Sequence, residues 1–152
     1  GVTTAEGKSG YGLDLENECK LLAVIQQLQK DQPISLVATY LGAHAIPPEY
    51  QDRADAYVDF MVDKVLPVIE SQQLAKFVDV FCETGVFTLA QTERILQAAA
   101  KCGFGLKLHA DEMNSTGGMS GGGGETTSCF LKVSEFSFCL LCWLFVRLPS
   151  LT

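Results

Sequence analysis

Four short β-rich runs begin near residues 2, 34, 77 and 105 and alternate with segments whose apolar residues recur at helical spacing. This alternation constrains the chain more than any other feature, because parallel strands need crossover connections long enough to hold a helix. The run Ile34 to Leu41 is almost continuously apolar, as expected of a strand covered on both faces. Upstream of it, Leu21, Ile25 and Leu28 form a helical stripe that Leu15, Cys19 and Leu22 widen. Asp14 is placed to cap that helix, Glu16 and Glu18 suit its first turn, and Pro33 should stop it. The next helix is expected to carry Ala54, Val58, Met61, Val65 and Ile69 on one side, with Pro67 kinking or ending it. Phe77 to Cys82 is the expected third strand. Thr88 and Gln91 make a capping box for a helix with Ile95, Leu96 and Ala99 on its apolar face. Gly103 closes that helix, and Gly105 to His109 is the expected fourth strand.

The pattern runs to about Asn114, which divides the chain into residues 1–114 and 115–152. Beyond Ser115 come Gly117, Gly118 and Gly121 to Gly124, then a Phe-, Leu- and Cys-rich stretch from Cys129 to Leu148. This tail reads as unrelated to the first part and not as a domain. Its longest apolar run, Phe136 to Val146, is 11 residues, well short of the roughly 20 that span a bilayer. Cys139 and Cys142 have CxxC spacing but no second pair to complete a zinc site. The remaining cysteines, Cys19, Cys82 and Cys102, lie in apolar patterns like buried free thiols, and a reducing cytoplasm is the expected setting. A formal net charge of -7 argues against a nucleic-acid surface. The chain starts at Gly1 within a β-rich run and shows no secretory signal pattern, so it reads as a fragment with upstream sequence missing.

Strands and helices in this order could build either a doubly wound sheet or a (β/α)8 barrel, whose units average about 30 residues. The polar residues favour the barrel. Tyr11, His44, Glu83, His109 and Glu112 all fall at or just past the C-terminal ends of the expected strands, where barrel enzymes place their chemistry. Gly7-Lys8-Ser9-Gly10 lacks the length and spacing of a phosphate-binding loop. The expected fold class is therefore α/β: about four βα units of a partial TIM (β/α)8 barrel of the metal-dependent hydrolase type.

His109, at the mouth of a buried strand, could ligate a metal, and Glu112 could serve as general base to a metal-bound water. A hydrogen-bonded strand-end histidine followed by solvated acids explains the same residues equally well. His44 could donate to a substrate oxygen and stabilise an oxyanion, or pack as a loop histidine beneath Pro47 and Pro48. Tyr11, between Gly10 and Gly12, could bind substrate or anchor its loop. Glu83 could support a site from behind or close a salt bridge within the sheet.

Glu6-Gly7-Lys8-Ser9-Gly10-Tyr11-Gly12-Leu13, Leu41-Gly42-Ala43-His44-Ala45, Val78-Asp79-Val80-Phe81-Cys82-Glu83 and Leu108-His109-Ala110-Asp111-Glu112 together resemble the imidazolonepropionases of the amidohydrolase superfamily. The resemblance covers residues 1 to about 114 and only the middle of that family's chain. It implies metal-dependent, ring-opening hydrolysis of the cyclic amide of 4-imidazolone-5-propanoate to N-formimino-L-glutamate in histidine degradation. It implies His109 as a ligand to one zinc or iron ion, and Glu112 as a substrate contact that activates the metal-bound water. It also implies His44 and Tyr11 as substrate-binding residues, with His44 near the carbonyl under attack. A cytoplasmic homodimer acting on a small molecule, with no nucleic-acid or membrane partner, completes that expectation. The family's His-x-His pair, its metal-binding Asp and its substrate-gripping Arg have no counterpart in these 152 residues. The competing expectation is a catalytically inactive truncated product or interaction module.

Overall fold

A computed structural model describes residues 1–110. Glu112, the boundary near residue 114, the tail 115–152 and Cys129, Cys139 and Cys142 lie outside the described residues. Four strands, β1 (Thr4–Lys8), β2 (Ser35–Ala43), β3 (Phe77–Cys82) and β4 (Gly105–Ala110), alternate with helices α1 (Leu15–Asp31), α2 (Ala54–Phe60), α3 (Leu66–Ser71) and α4 (Leu89–Lys101). The strands lie side by side in chain order, and every pair is parallel. Even-numbered strand residues such as Ala38, Tyr40, Val78 and Val80 share one core cluster with Leu22 of α1, Met61, Ile69 of α3 and Ile95 of α4. All the helices therefore cover one face of the sheet. A doubly wound sheet reverses strand order and places helices on both faces, and neither feature occurs among the described residues.

Local chemistry explains the boundaries. Asp14 caps α1, its Oδ1 accepting from the Asn17 N–H at 2.8 Å. The Thr88–Gln91 capping box forms with both reciprocal hydrogen bonds, at 3.3 and 3.0 Å. We expect Thr88→Ala to lower unfolding free energy by about 1 kcal/mol, measured as a shift in urea midpoint; an unmoved midpoint would show that the cap contributes nothing. At the other end of α4, the Phe104 N–H donates to the Ala99 carbonyl and the Gly103 N–H to Ala100, with Gly103 at φ +82. That is a Schellman closure, and only glycine holds its φ without a steric cost.

Pro67 does not end its helix, because the helical segment that begins at Ala54 runs on to Ser71. Met61–Val65 widen into a π turn between α2 and α3, with the Leu66 N–H donating to the Met61 carbonyl five residues back. The extra residue leaves Pro67 in the first turn of α3, where its missing N–H costs little. Tyr57, Val58, Met61, Val65, Leu66 and Ile69 stay buried along the whole rod. Cys19, Cys82 and Cys102 are free; only Cys82 is fully buried, and the other two are half-buried. No helix among the described residues is long and apolar enough to cross a membrane.

The strand that carries His44 is irregular near its end. Tyr40 pairs with Val78 but Ala43 with Val80, so three steps along β2 oppose two along β3. Such a bulge re-aims the residues that follow it. The Tyr57 hydroxyl donates to the Gly42 carbonyl at 3.2 Å and so ties the bulge to the helix layer.

Candidate functional site

Because all four strands are parallel, the residues that follow them gather along one edge of the sheet. The face away from the helices, carrying Glu6 and Lys8 of β1, Thr39 of β2, Asp79 of β3 and Lys107 and His109 of β4, bears a chain of charged groups. Lys8 of β1 pairs with Asp79 of β3 at 2.7 Å, and Asp79 accepts from His109 of β4 at 2.8 Å. Glu6 accepts from Thr39 and Lys107 on the same face. The Asp79 side chain is fully buried and that of His109 is about one-third exposed, at 35%. Burial pushes the Asp79 carboxyl up, but the His109 hydrogen bond and the Lys8 charge outweigh it and hold the group below the ordinary carboxylate range.

An ionised Asp79 can only accept, so Nδ1 of His109 carries the shared proton, and the lone pair of a neutral ring would then lie on Nε2. A carboxylate that fixes the tautomer of a histidine in this way is the usual support for a metal-ligating imidazole. The described residues contain no group of three His, Cys, Asp or Glu able to hold an ion. An ion at His109 would need ligands from beyond these residues.

At the ends of β1 and β2, Tyr11 and His44 come together, with ring centroids 6.0 Å apart. Tyr11 is 67% exposed. Nδ1 of His44 lies 2.9 Å from the Leu41 carbonyl, which can only accept, so Nδ1 is again the protonated nitrogen. Neutral His44 therefore offers a lone pair at Nε2, and it can donate to a substrate oxygen only as the imidazolium. Glu83, after β3, is buried, with Oε1 accepting from the Thr84 N–H at 3.2 Å.

Sequence reasoning missed two carboxylates. Asp79 had a visible signal, a charge in the middle of an otherwise apolar buried strand, which calls for a partner. Glu18 gave no such signal, since a carboxylate in the first turn of a helix is already accounted for by the helix dipole. It is instead 1% exposed and accepts backbone hydrogen bonds from Gly10 (2.9 and 3.1 Å), Gly12 (2.9 Å) and Leu13 (3.0 Å).

A one-sided parallel βα array with its reactive side chains at the strand C-termini belongs to the class of α/β enzymes that work at that edge. No family model matches the chain. It is 52% identical over 120 residues to an imidazolonepropionase of Phocaeicola vulgatus, which covers 78% of this chain and 29% of that relative. It is 54% identical over 118 residues to an imidazolonepropionase of Parabacteroides distasonis and 55% identical over 120 residues to one of Bacteroides thetaiotaomicron. These matches cover 78% of this chain and 28% and 29% of those relatives. Over the residues matched, the chain is similar to imidazolonepropionases, and it spans less than a third of the length of these relatives.

Proposed function

We propose that these residues form part of the substrate- and metal-handling edge of an imidazolonepropionase, built on four units of a (β/α)8 barrel. The reaction would be hydrolysis of the cyclic amide of 4-imidazolone-5-propanoate to N-formimino-L-glutamate, a step of histidine degradation, in a cytoplasmic homodimer. The observation that carries this reading is the Asp79–His109 pair, which occupies Nδ1 of His109 and leaves Nε2 without a partner among the described residues. His109 would hold one side of a zinc or iron ion, and residues outside positions 1–110 would complete the three or so protein ligands that a catalytic ion takes. Such an ion lowers the pKa of water and polarises the amide carbonyl. Glu112 takes the proton of the attacking water. His44, as imidazolium, donates from Nε2 to the carbonyl oxygen as negative charge develops there. Tyr11 lies against His44 and helps to bind the substrate ring.

The test is a chimera in which this chain replaces the matching 120-residue segment of the Phocaeicola vulgatus relative. The chimera is expected to hydrolyse 4-imidazolone-5-propanoate, and His109→Ala to remove both bound metal, read by elemental analysis, and turnover. A folded chimera without turnover, or a His109→Ala variant that keeps its metal, would refute the proposal.

A further inference from the structure

The loop between β1 and α1 exposes Tyr11 yet is held from beneath by a buried charge. The backbone N–H groups of Gly10, Gly12 and Leu13 all donate to the single carboxylate of Glu18. Convergent backbone donors of this kind form a concavity suited to an anion, and here α1 supplies the anion. Glu18 lies in the first turn of a 17-residue helix that Asp14 caps, so a rigid element sets the shape of the loop. The loop also meets the second strand end directly. Gly10 has φ +110, and a Cβ there would lie 2.4 Å from the Leu41 oxygen and 3.0 Å from Nδ1 of His44. The clamped residue is thus in contact with both the His44 ring and the carbonyl that orients it. Ser9 adds a second tie, its hydroxyl accepting from the Leu41 N–H at 3.3 Å.

We propose that Glu18 is a positioning residue for substrate binding: it fixes the Ser9–Leu13 loop so that Tyr11 and His44 address one ligand with a set separation. The identity of that ligand rests on the imidazolonepropionase reading, whereas the loop clamp does not. Glu18 acts only through Tyr11 and His44. Its loss is therefore felt in how well the substrate is held and much less in the bond-breaking step.

Glu18→Gln keeps the size of the side chain but removes its charge. If its oxygen keeps the three contacts of Oε1, its NH2 must face the Gly10 N–H that now donates to Oε2 at 2.9 Å, donor against donor. In the 152-residue chain, hydrogen exchange at the Gly10, Gly12 and Leu13 amides is expected to quicken by about tenfold, the scale of one lost charge-assisted bond, while α4 exchanges as before. In the chimera described above, the same variant is expected to raise KM by about tenfold with kcat changed by less than about twofold. In a Tyr11→Ala background it should add little, because interacting residues are not additive. Unchanged exchange at the three amides, independent multiplication of the two KM effects, or a fall in kcat with KM intact would each overturn the proposal. If Glu18→Gln does not fold, Glu18→Asp replaces it, keeping the charge on a stem one methylene too short to reach all three amides. Slow exchange of those amides in the unaltered chain is also required. A chimera with native Glu18 that exchanges as expected but has no turnover would defeat the functional reading and leave the clamp standing.

Discussion

Asp79→Ala is expected to lower the unfolding free energy by about 3–5 kcal/mol, the cost of removing one partner from a buried ion pair. The Asp79 side chain has no exposed surface and answers both Lys8 and His109, so the substitution strips His109 of its partner and leaves the Lys8 ammonium only the longer contact to Glu6, at 3.9 Å. Urea unfolding of the 152-residue chain measures the loss. Asp79→Asn serves as its companion, because it keeps shape and one acceptor oxygen while removing the charge. His109 then loses the partner that fixes its tautomer, and metal affinity in the chimera should fall by about 10–100-fold. A destabilisation below about 1 kcal/mol for the alanine variant would place this pair with ordinary surface ion pairs and remove the structural support for His109.

Tyr57→Ala is expected to cost a comparable 3–5 kcal/mol or so, as large aromatic truncations in a closed core do. Tyr57 is fully buried, with the rings of Tyr50, Phe60 and Phe87 at centroid distances of 5.3, 6.1 and 6.4 Å. Burial pushes its phenol well above the ordinary tyrosine range, so the hydroxyl stays protonated and donates to the Gly42 carbonyl. Tyr57→Phe removes that bond alone and should cost about 1 kcal/mol. Because Gly42 lies in the bulge before His44, the phenylalanine variant should also shift the His44 ring resonances. Equal losses for the two variants would mean that packing around the ring contributes little, and the energetic account of this core would be wrong.

The helix signals were legible because they are local. Asp14, Thr88 with Gln91, and Gly103 each act within a few residues, so their side chains and backbone geometry can be read from spacing alone. How Pro67 is accommodated was not legible, because the π turn before it depends on how the segment from Ala54 to Ser71 packs, and no residue in that stretch announces an extra backbone step. Glu18 does lie in the first turn of α1 as expected, but its hold on the preceding loop was not legible, for a related reason. Its sequence position fits a solvated helix start, and only the return of the Gly10–Leu13 backbone over it turns the carboxylate inward.

The sequence by itself determined the alternation of strands and helices and the position of Tyr11, His44 and His109 at strand ends, since both follow from apolar periodicity along the chain. Only the tertiary structure decided that all helices cover one face, that Asp79 orients His109 against Lys8, and that Tyr11 stands beside His44. Those relations join residues up to 71 positions apart. They arise because parallel strand pairing sets the register between distant segments, and no spacing along a single chain encodes that register.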